Sequence, residues 1–317
     1  MSEIFQHLDH GITVIDTGFV RPRFDASYLI VENGRAAFVD TGPNAAVPRL
    51  LAALQAAGLD RDCVDYVIPT HVHLDHAGGV GLLMRELPHA RLVIHPRGAR
   101  HMIDPSALMA GVRAVYGDEV AARDYGELVP VDAARVLTTS DGSTIELGGR
   151  PLRFADTPGH ARHHHCIWDE ASRGWFTGDT FGIAYPELHT PSGPYIVPAT
   201  APIQFDPAAL HASVERLLQE QPRHMYLTHY GAVSDAPTLA VRFLAQVDAM
   251  AQVARELARS PQRHEQLKRR FAEIYIDELR RMGSTLPEQN IRSALDMDIE
   301  LNAQGLGVWI DKARGND

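Results

Sequence analysis

The chain has 317 residues, 45% hydrophobic and 22% charged, with 30 Lys and Arg against 40 Asp and Glu for a formal net charge of −10. That composition excludes global disorder, and the acidic balance argues against a general nucleic-acid binder, which needs a basic footprint. The length allows one large domain or a domain with an extension. Two cysteines, Cys63 and Cys166, cannot form a disulfide framework and suit a reducing, cytoplasmic setting. Residues 1–7 show no basic segment followed by an apolar run, so no secretory signal is expected. No apolar stretch approaches the roughly 20 residues that span a bilayer, so no membrane association is expected.

Strands are expected at residues 12–18, 27–32 and 36–40, with a hairpin turn at Glu32-Asn33-Gly34. The third run ends in Val39-Asp40-Thr41-Gly42. A helix follows from about Ala45 to Ala57, since Val47, Leu50, Leu51 and Leu54 recur at helical spacing and Gly58 marks a stop. The next strand, 64–69, runs into Thr70-His71-Val72-His73-Leu74-Asp75-His76-Ala77-Gly78-Gly79. A helix over 81–86, a strand over 91–95 and short helices within 97–126 come next. From 127 the pattern predicts strands at 127–131, 135–139, 144–147, 150–156, 164–168 and 173–177. Residues 181–206, rich in proline and aromatics, read as a long irregular loop, a length that is often functional. A helix at 207–219 precedes strand 224–228, which ends at His229. Beyond 232, the stripes Leu239/Phe243/Val247, Leu267/Phe271/Ile274 and Ile291/Leu295/Ile299 predict three helices. The first is expected to be capped at Ser234-Asp235-Ala236-Pro237, and the second to open at Ser260-Pro261. The expected division is therefore 1–232, which carries the chemistry, and an all-helical extension, 233–317.

Seventeen histidines are an unusual number for this length, and their positions are informative. In His71-x-His73-x-Asp75-His76, two histidines two apart in extended backbone point to one side. Asp75 and His76 follow where the chain turns, so one loop can serve two ions. Pro158-Gly159 makes a turn that presents His160, and Gly178 permits a bend that presents Asp179. His229 ends the last strand. Threonine precedes three of these segments, as Thr70, Thr157 and Thr228. Five histidines and two aspartates, one of them shared, would give two ions four ligands each. Imidazole and carboxylate suit zinc or iron in such a set.

With these four segments in this order, the sequence resembles the metallo-β-lactamase-fold superfamily over roughly residues 12–231. The resemblance implies an α/β (α+β) fold: a four-layer αβ/βα sandwich of two mixed β-sheets flanked by helices, here with the helical extension. It implies that one ion takes His71, His73, His160 and Asp179, and the other Asp75, His76, Asp179 and His229, with Asp179 bridging. The ions would be zinc, with iron or manganese as alternatives. Asp75 would also help orient an attacking metal-bound hydroxide. The implied activity is hydrolysis of a small-molecule ester, thioester or lactone. The complete ligand set with a helical extension is similar to hydroxyacylglutathione hydrolases, and lactonases share the ligands. The chain departs from the former in Ala161-Arg162-His163, where they usually carry a second Gly-His. Phosphodiester or RNA cleavage and mononuclear-iron persulfide dioxygenation are the alternatives in the same fold.

Asp40 recurs in that family and reads as a turn carboxylate behind the ligands. Alternation along strand 164–168 would put His163 and His165 on one face and His164 on the other. Tyr185, His189 and Tyr195 lie in the long loop, which could reach over the metals or hold them toward solvent. Cys63 and Cys166 read as inert core thiols. The extension offers a cap for the site or a homodimer surface.

Overall fold

The structure, a computed structural model, describes residues 4–200 and 203–315. The few residues at either end, and 201–202 of the expected long loop, lie outside the described residues. In chain order the elements begin with β1 (Phe5–His7), β2 (Ile12–Asp16), β3 (Ala26–Glu32), β4 (Arg35–Val39), α1 (Val47–Ala56) and β5 (Val64–Ile68). They continue with α2 (Leu74–Ala77), α3 (Val80–Glu86), β6 (Arg91–Ile94), α4 (Pro96–Ile103), α5 (Ser106–Tyr116), α6 (Asp118–Asp124) and β7 (Val136–Thr138). Then come β8 (Thr144–Leu147), β9 (Arg150–Asp156), β10 (His165–Asp169), β11 (Gly174–Gly178), α7 (Pro207–Gln219), β12 (His224–Leu227) and β13 (Gly231–Val233). The chain ends in α8 (Ala236–Glu256), α9 (Arg263–Arg281), α10 (Glu288–Ala294) and α11 (Asp296–Gly315). The architecture is two mixed β-sheets flanked by helices, with a helical C-terminal region. No helix among the described residues is long and apolar enough to cross a membrane.

The chain divides into two compact units: 1–156 with 163–178 and 223–232, and 157–162 with 179–222 and 233–317. The first holds both sheets. One has strand order β1-β2-β3-β4-β5-β6-β7, antiparallel to β4 and parallel from β4 to β7. The other has order β13-β12-β11-β10-β9-β8, antiparallel from β8 to β11 and parallel between β11 and β12. Strands β3 to β6 are apolar on both faces because both faces are covered. Leu29, Phe38, Val67, Leu92 and Ile94 pack with Val47, Leu50, Leu54 and Leu83 of α1 and α3. The alternate residues Tyr28, Ile30, Val39, Ile68 and Val93 share a second core with Leu152, Phe154, Ile167, Phe176 and Tyr226 of the other sheet. This period of two leaves the sheet edges and strand ends as the places where polar side chains can gather. Because β4 to β7 run parallel, the loops after β4, β5 and β6 emerge on one side of the sheet, where α/β proteins place their ligands.

The second unit contains α7 to α11. Helix α7 starts where Asp206 accepts the N–H groups of Ala208 and Ala209 at 3.0 and 3.1 Å and Pro207 takes the first position. The loop after residue 180 is largely irregular, as expected, and is tied down by buried polar pairs. The Tyr185 hydroxyl donates to Asp298 Oδ1 (3.2 Å) and the Tyr195 hydroxyl to Gln246 Oε1 (2.7 Å). These tyrosines are buried among the unit's own helices, whereas His189 is exposed.

One strand is unexpected, and four expectations need correction. Strand β1 is a short polar edge strand, Phe-Gln-His, whose sequence carries no alternation signal. Residues 127–131 form no strand, and Pro130 within them has no N–H to give a ladder. Asp235, in left-handed backbone, makes no side-chain cap on α8. Helix α9 begins at Arg263, two residues beyond Pro261. The third helical stripe breaks at Leu295, giving α10 and α11, although Ile291, Leu295 and Ile299 are all buried.

Phe38, fully buried in the centre of β4, tests the first core. Phe38→Ala should lower the unfolding free energy by about 3–5 kcal/mol, read as a lower urea midpoint with an unchanged slope.

Candidate metal centre

Of the seven expected ligands, His71, His73, Asp75, His76 and His229 belong to the sheet-bearing unit, and His160 and Asp179 to the other. In the first unit, β5 delivers His71 directly after Thr70. His73 then caps the one-turn helix α2, which carries Asp75 and His76. The carbonyl of His76 is held by the Thr41 N–H (2.7 Å) and hydroxyl (3.0 Å), so the loop after β4 fixes α2. His71 Nε2 and His73 Nδ1 are 2.8 Å apart. Asp75, His76 and His229 each bring one donor atom within 4.8 Å of the others. Asp75 Oδ2 lies 3.3 Å from His229 Nε2 and 3.7 Å from His76 Nε2.

The outer nitrogens explain why these rings point as they do. A histidine whose Nδ1–H is bound to an oxygen presents the Nε2 lone pair to a cation. His76 donates from Nδ1 to Asp40 Oδ2 (2.9 Å), and His229 to the Phe24 carbonyl (2.8 Å). His71 Nδ1 lies 3.2 Å from the Thr70 hydroxyl oxygen. That hydroxyl donates to Asp40 at 3.0 Å, so it accepts from His71. In the second unit, His160 donates from Nδ1 to the Ala199 carbonyl (2.9 Å) while its Nε2 lies 3.4 Å from Asp179 Oδ2. Buried imidazole nitrogens and carboxylate oxygens aimed at each other in this way suit a divalent cation of the zinc or iron type.

Asp40 is the common anchor. Besides His76, it accepts the Thr70 N–H (2.7 Å), the Thr70 hydroxyl and the Thr228 hydroxyl (2.7 Å). Two of the three threonines that precede ligand segments therefore bind one buried carboxylate. Asp40 sits in left-handed backbone (φ +53°), which Asp tolerates better than most residues.

Glycine is required at both expected bends. At Gly178 (φ +47°) a Cβ would lie 2.5 Å from Thr70 Oγ1 and 2.6 Å from His164 Nε2. At Gly159 (φ +135°) it would meet the Leu210 backbone at 2.4 Å.

The three following histidines depart from the expected alternation, because β10 starts only at His165 and the chain is not yet extended at 163–164. His164 stacks on His71 (4.9 Å between ring centres), and His163 packs on both His71 (6.1 Å) and His73 (5.6 Å). His165 turns away, with Nδ1 3.0 Å from the Thr139 hydroxyl and Nε2 3.0 Å from the Pro69 carbonyl. Burial pushes its pKa down to about 3, with repulsion from His95 adding to the effect. Cys166 is buried, with its thiol donating to the Thr177 carbonyl, and Cys63 is half-buried.

One buried acid was not anticipated. Asp25, at the entry to β3, accepts the Thr17 hydroxyl at 2.8 Å. Burial pushes its carboxyl up to about 8, against the opposing pull of His229 and His76. A charged residue opening an apolar strand, Phe24-Asp25-Ala26-Ser27-Tyr28, was the available signal.

Comparison with known proteins identifies the family. The model of the metallo-beta-lactamase superfamily matches residues 20–229. A metallo-beta-lactamase fold-containing protein of Sulfurisphaera tokodaii is 27% identical over 177 residues, 55% of this chain and 63% of its own length. The chain thus spans less than two thirds of that relative. A hydroxyacylglutathione hydrolase of Acidiphilium cryptum is 28% identical over 229 residues, 70% of this chain and 69% of the relative. The crystal structure of a metallo-beta-lactamase family protein from Thermus thermophilus is similar in fold, with a TM-score of 0.63 and 24% identity, covering 86% of this chain and 94% of that one.

Two outcomes follow. Asp40→Asn replaces an acceptor-only group with an amide that cannot accept all four donors, and should weaken zinc binding by about 10–100-fold in chelator competition. His165 is neutral in the folded chain, whereas its unfolded value is near 6.5, so its contribution is complete above that pH and is lost as the pH falls toward 3. His165→Gln should therefore flatten the fall in Tm between pH 6.5 and 4 relative to the parent, by circular dichroism.

Proposed function

Because the chain belongs to the metallo-β-lactamase superfamily, we propose that it is a metal-dependent hydrolase of a small ester, thioester or lactone. The Asp75–His76–His229 cluster carries this reading, since both imidazoles have Nδ1 tied to an oxygen and Nε2 turned toward the Asp75 carboxylate. By the family pattern we assign His71, His73, His160 and Asp179 to one divalent ion, and Asp75, His76, Asp179 and His229 to the other, Asp179 being shared. Two such cations, zinc or zinc with iron, would supply a water acidified to about pKa 7 and a Lewis acid for the carbonyl.

The residues divide the remaining work. Asp75 keeps 26% of its side chain exposed while His76 and His229 are buried. It can therefore orient the attacking water as well as hold a cation. Asp40, Thr70 and the Phe24 carbonyl fix the tautomer and the aim of the imidazoles, so little reorganisation accompanies the reaction. The hydroxyacylglutathione hydrolase among the relatives supports an ester-class substrate. We further propose a catalytic region over 1–232 with a helical extension over 233–317, cytoplasmic residence, and a homodimer through the extension.

Protein purified without added metal should contain near two zinc, or zinc plus iron, per chain by elemental analysis. It should cleave members of a panel of thioesters and lactones in preference to bis-p-nitrophenyl phosphate. Replacing His71 and His73 by Ala should remove metal and activity together. A single iron with oxygen consumption on a persulfide would overturn the hydrolase reading, and cleavage of the phosphodiester alone would move it to the phosphodiesterases.

A further inference from the structure

Asp25 is fully buried at the entry to an apolar strand, and nothing in the core calls for a carboxylate there. Its place is fixed from three sides. The Thr17 N–H donates to the Asp25 carbonyl at 3.0 Å, and the Thr17 hydroxyl reaches both that carbonyl (3.0 Å) and Oδ2 (2.8 Å). The N–H of Ala26, one residue on, donates to the Thr228 carbonyl at 2.8 Å. The carbonyl of Phe24, one residue back, is the group that anchors His229 Nδ1. Asp25 therefore lies between the two backbone groups that hold the Thr228-His229 segment. Its Oδ1 is buried and has no hydrogen-bond partner among the described residues. The titratable groups around it include His229, His76 and Asp75, the three members of one cluster, together with the tyrosines Tyr28 and Tyr230.

An acid in this position is costly when neutral and half-satisfied, and costlier still when charged without a nearby cation. Placing a divalent cation in the cluster changes the balance, because an adjacent positive charge favours the ionised form. The effect is reciprocal: whatever a cation does to favour the carboxylate, the carboxylate does to favour the cation.

We infer that Asp25 is a supporting carboxylate of the Asp75–His76–His229 cluster, and that its negative charge strengthens this cluster's hold on a divalent cation. It is a positioning residue that acts through the ligands, and the inference rests on the dinuclear reading above.

The test is zinc titration of the full chain against a chromophoric chelator, comparing the parent with Asp25→Asn, with the Tm of both proteins measured after metal stripping. The parent should bind two ions. The variant should bind one ion as the parent does and the other about 10–100-fold more weakly, with the metal-stripped Tm no lower. Equal affinities for both ions in the two proteins overturn the inference. A lower metal-stripped Tm with unchanged affinities also overturns it, since that is the signature of a purely structural acid. If Asp25→Asn does not fold, Asp25→Ser is read in the same way, a weakened second ion supporting the inference and an unchanged one overturning it. A parent that binds fewer than two ions overturns the dinuclear reading itself, which separates that failure from this one.

Discussion

A single buried carboxylate holds the site in the sheet-bearing unit together. Asp40 has no exposure, and an ion so placed costs several kcal/mol unless its oxygens are fully used. They are used by donors from three segments: Thr70 at the end of β5, His76 in α2 and Thr228 at the end of β12. β5 lies in one sheet and β12 in the other. One residue after β4 thus sets the positions of the His71, His76 and His229 segments at once. Removing any donor would leave part of a buried charge unsatisfied, so satisfying Asp40 and aiming the ligands become the same requirement.

The anchors are not equivalent, and the difference is chemical. His76 leans on a carboxylate, His229 on a backbone carbonyl, and His71 on a threonine hydroxyl that is itself bound to Asp40. A charged acceptor raises the basicity of the ring it holds more than a neutral one does. His76 is accordingly the most strongly polarised of the three, and it lies in the cluster that also contains Asp75. Negative charge is thereby concentrated on the Asp75–His76–His229 side, whereas His71 and His73 are walled by the rings of His163 and His164.

Much of this was legible in the sequence, because the chemistry demands particular residue types at strand ends. Five histidines and two aspartates at the ends of apolar runs mark the expected ligands, of which Asp75, His76 and His229 come together in one unit, and Gly159 and Gly178 stand where no side chain fits. The central strands were legible from their unbroken apolar runs. What was hidden depends on partners distant in sequence. The Phe-Gln-His of β1 becomes a strand only because β2 offers an edge. His163 and His164 look like the start of a strand until the position of His71 is known. Asp25 is only a charge at the opening of an apolar strand until Thr17 and the His229 segment close around it. Tyr185 and Tyr195 read equally well as solvent-facing or as reaching over the metals, whereas Asp298 and Gln246 supply acceptors that bury their hydroxyls.

None of the seven expected ligands lies in the helical C-terminal region, yet His160 depends on it through a traceable chain of contacts. His160 is oriented by the carbonyl of Ala199. The next residue, Thr200, donates its N–H to Asn302 Oδ1 at 2.7 Å and its hydroxyl to the same oxygen at 2.9 Å. Asn302 on α11 also donates to the Pro198 carbonyl and to the Tyr275 hydroxyl of α9, each at 2.8 Å. Both amide donors and the acceptor are thus in use, which fixes the amide in one orientation. On the other side of His160, Gly159 accepts the Asp206 N–H at 2.8 Å and Pro158 the Ser213 hydroxyl at 2.6 Å. A loop this long would otherwise sample many conformations at little cost. Held at 198–200 by α11, it keeps one carbonyl where one imidazole needs it, while Asp206 and Ser213 hold the turn at 158–159. Helix α11 therefore helps to orient His160, although every expected ligand precedes it in the sequence.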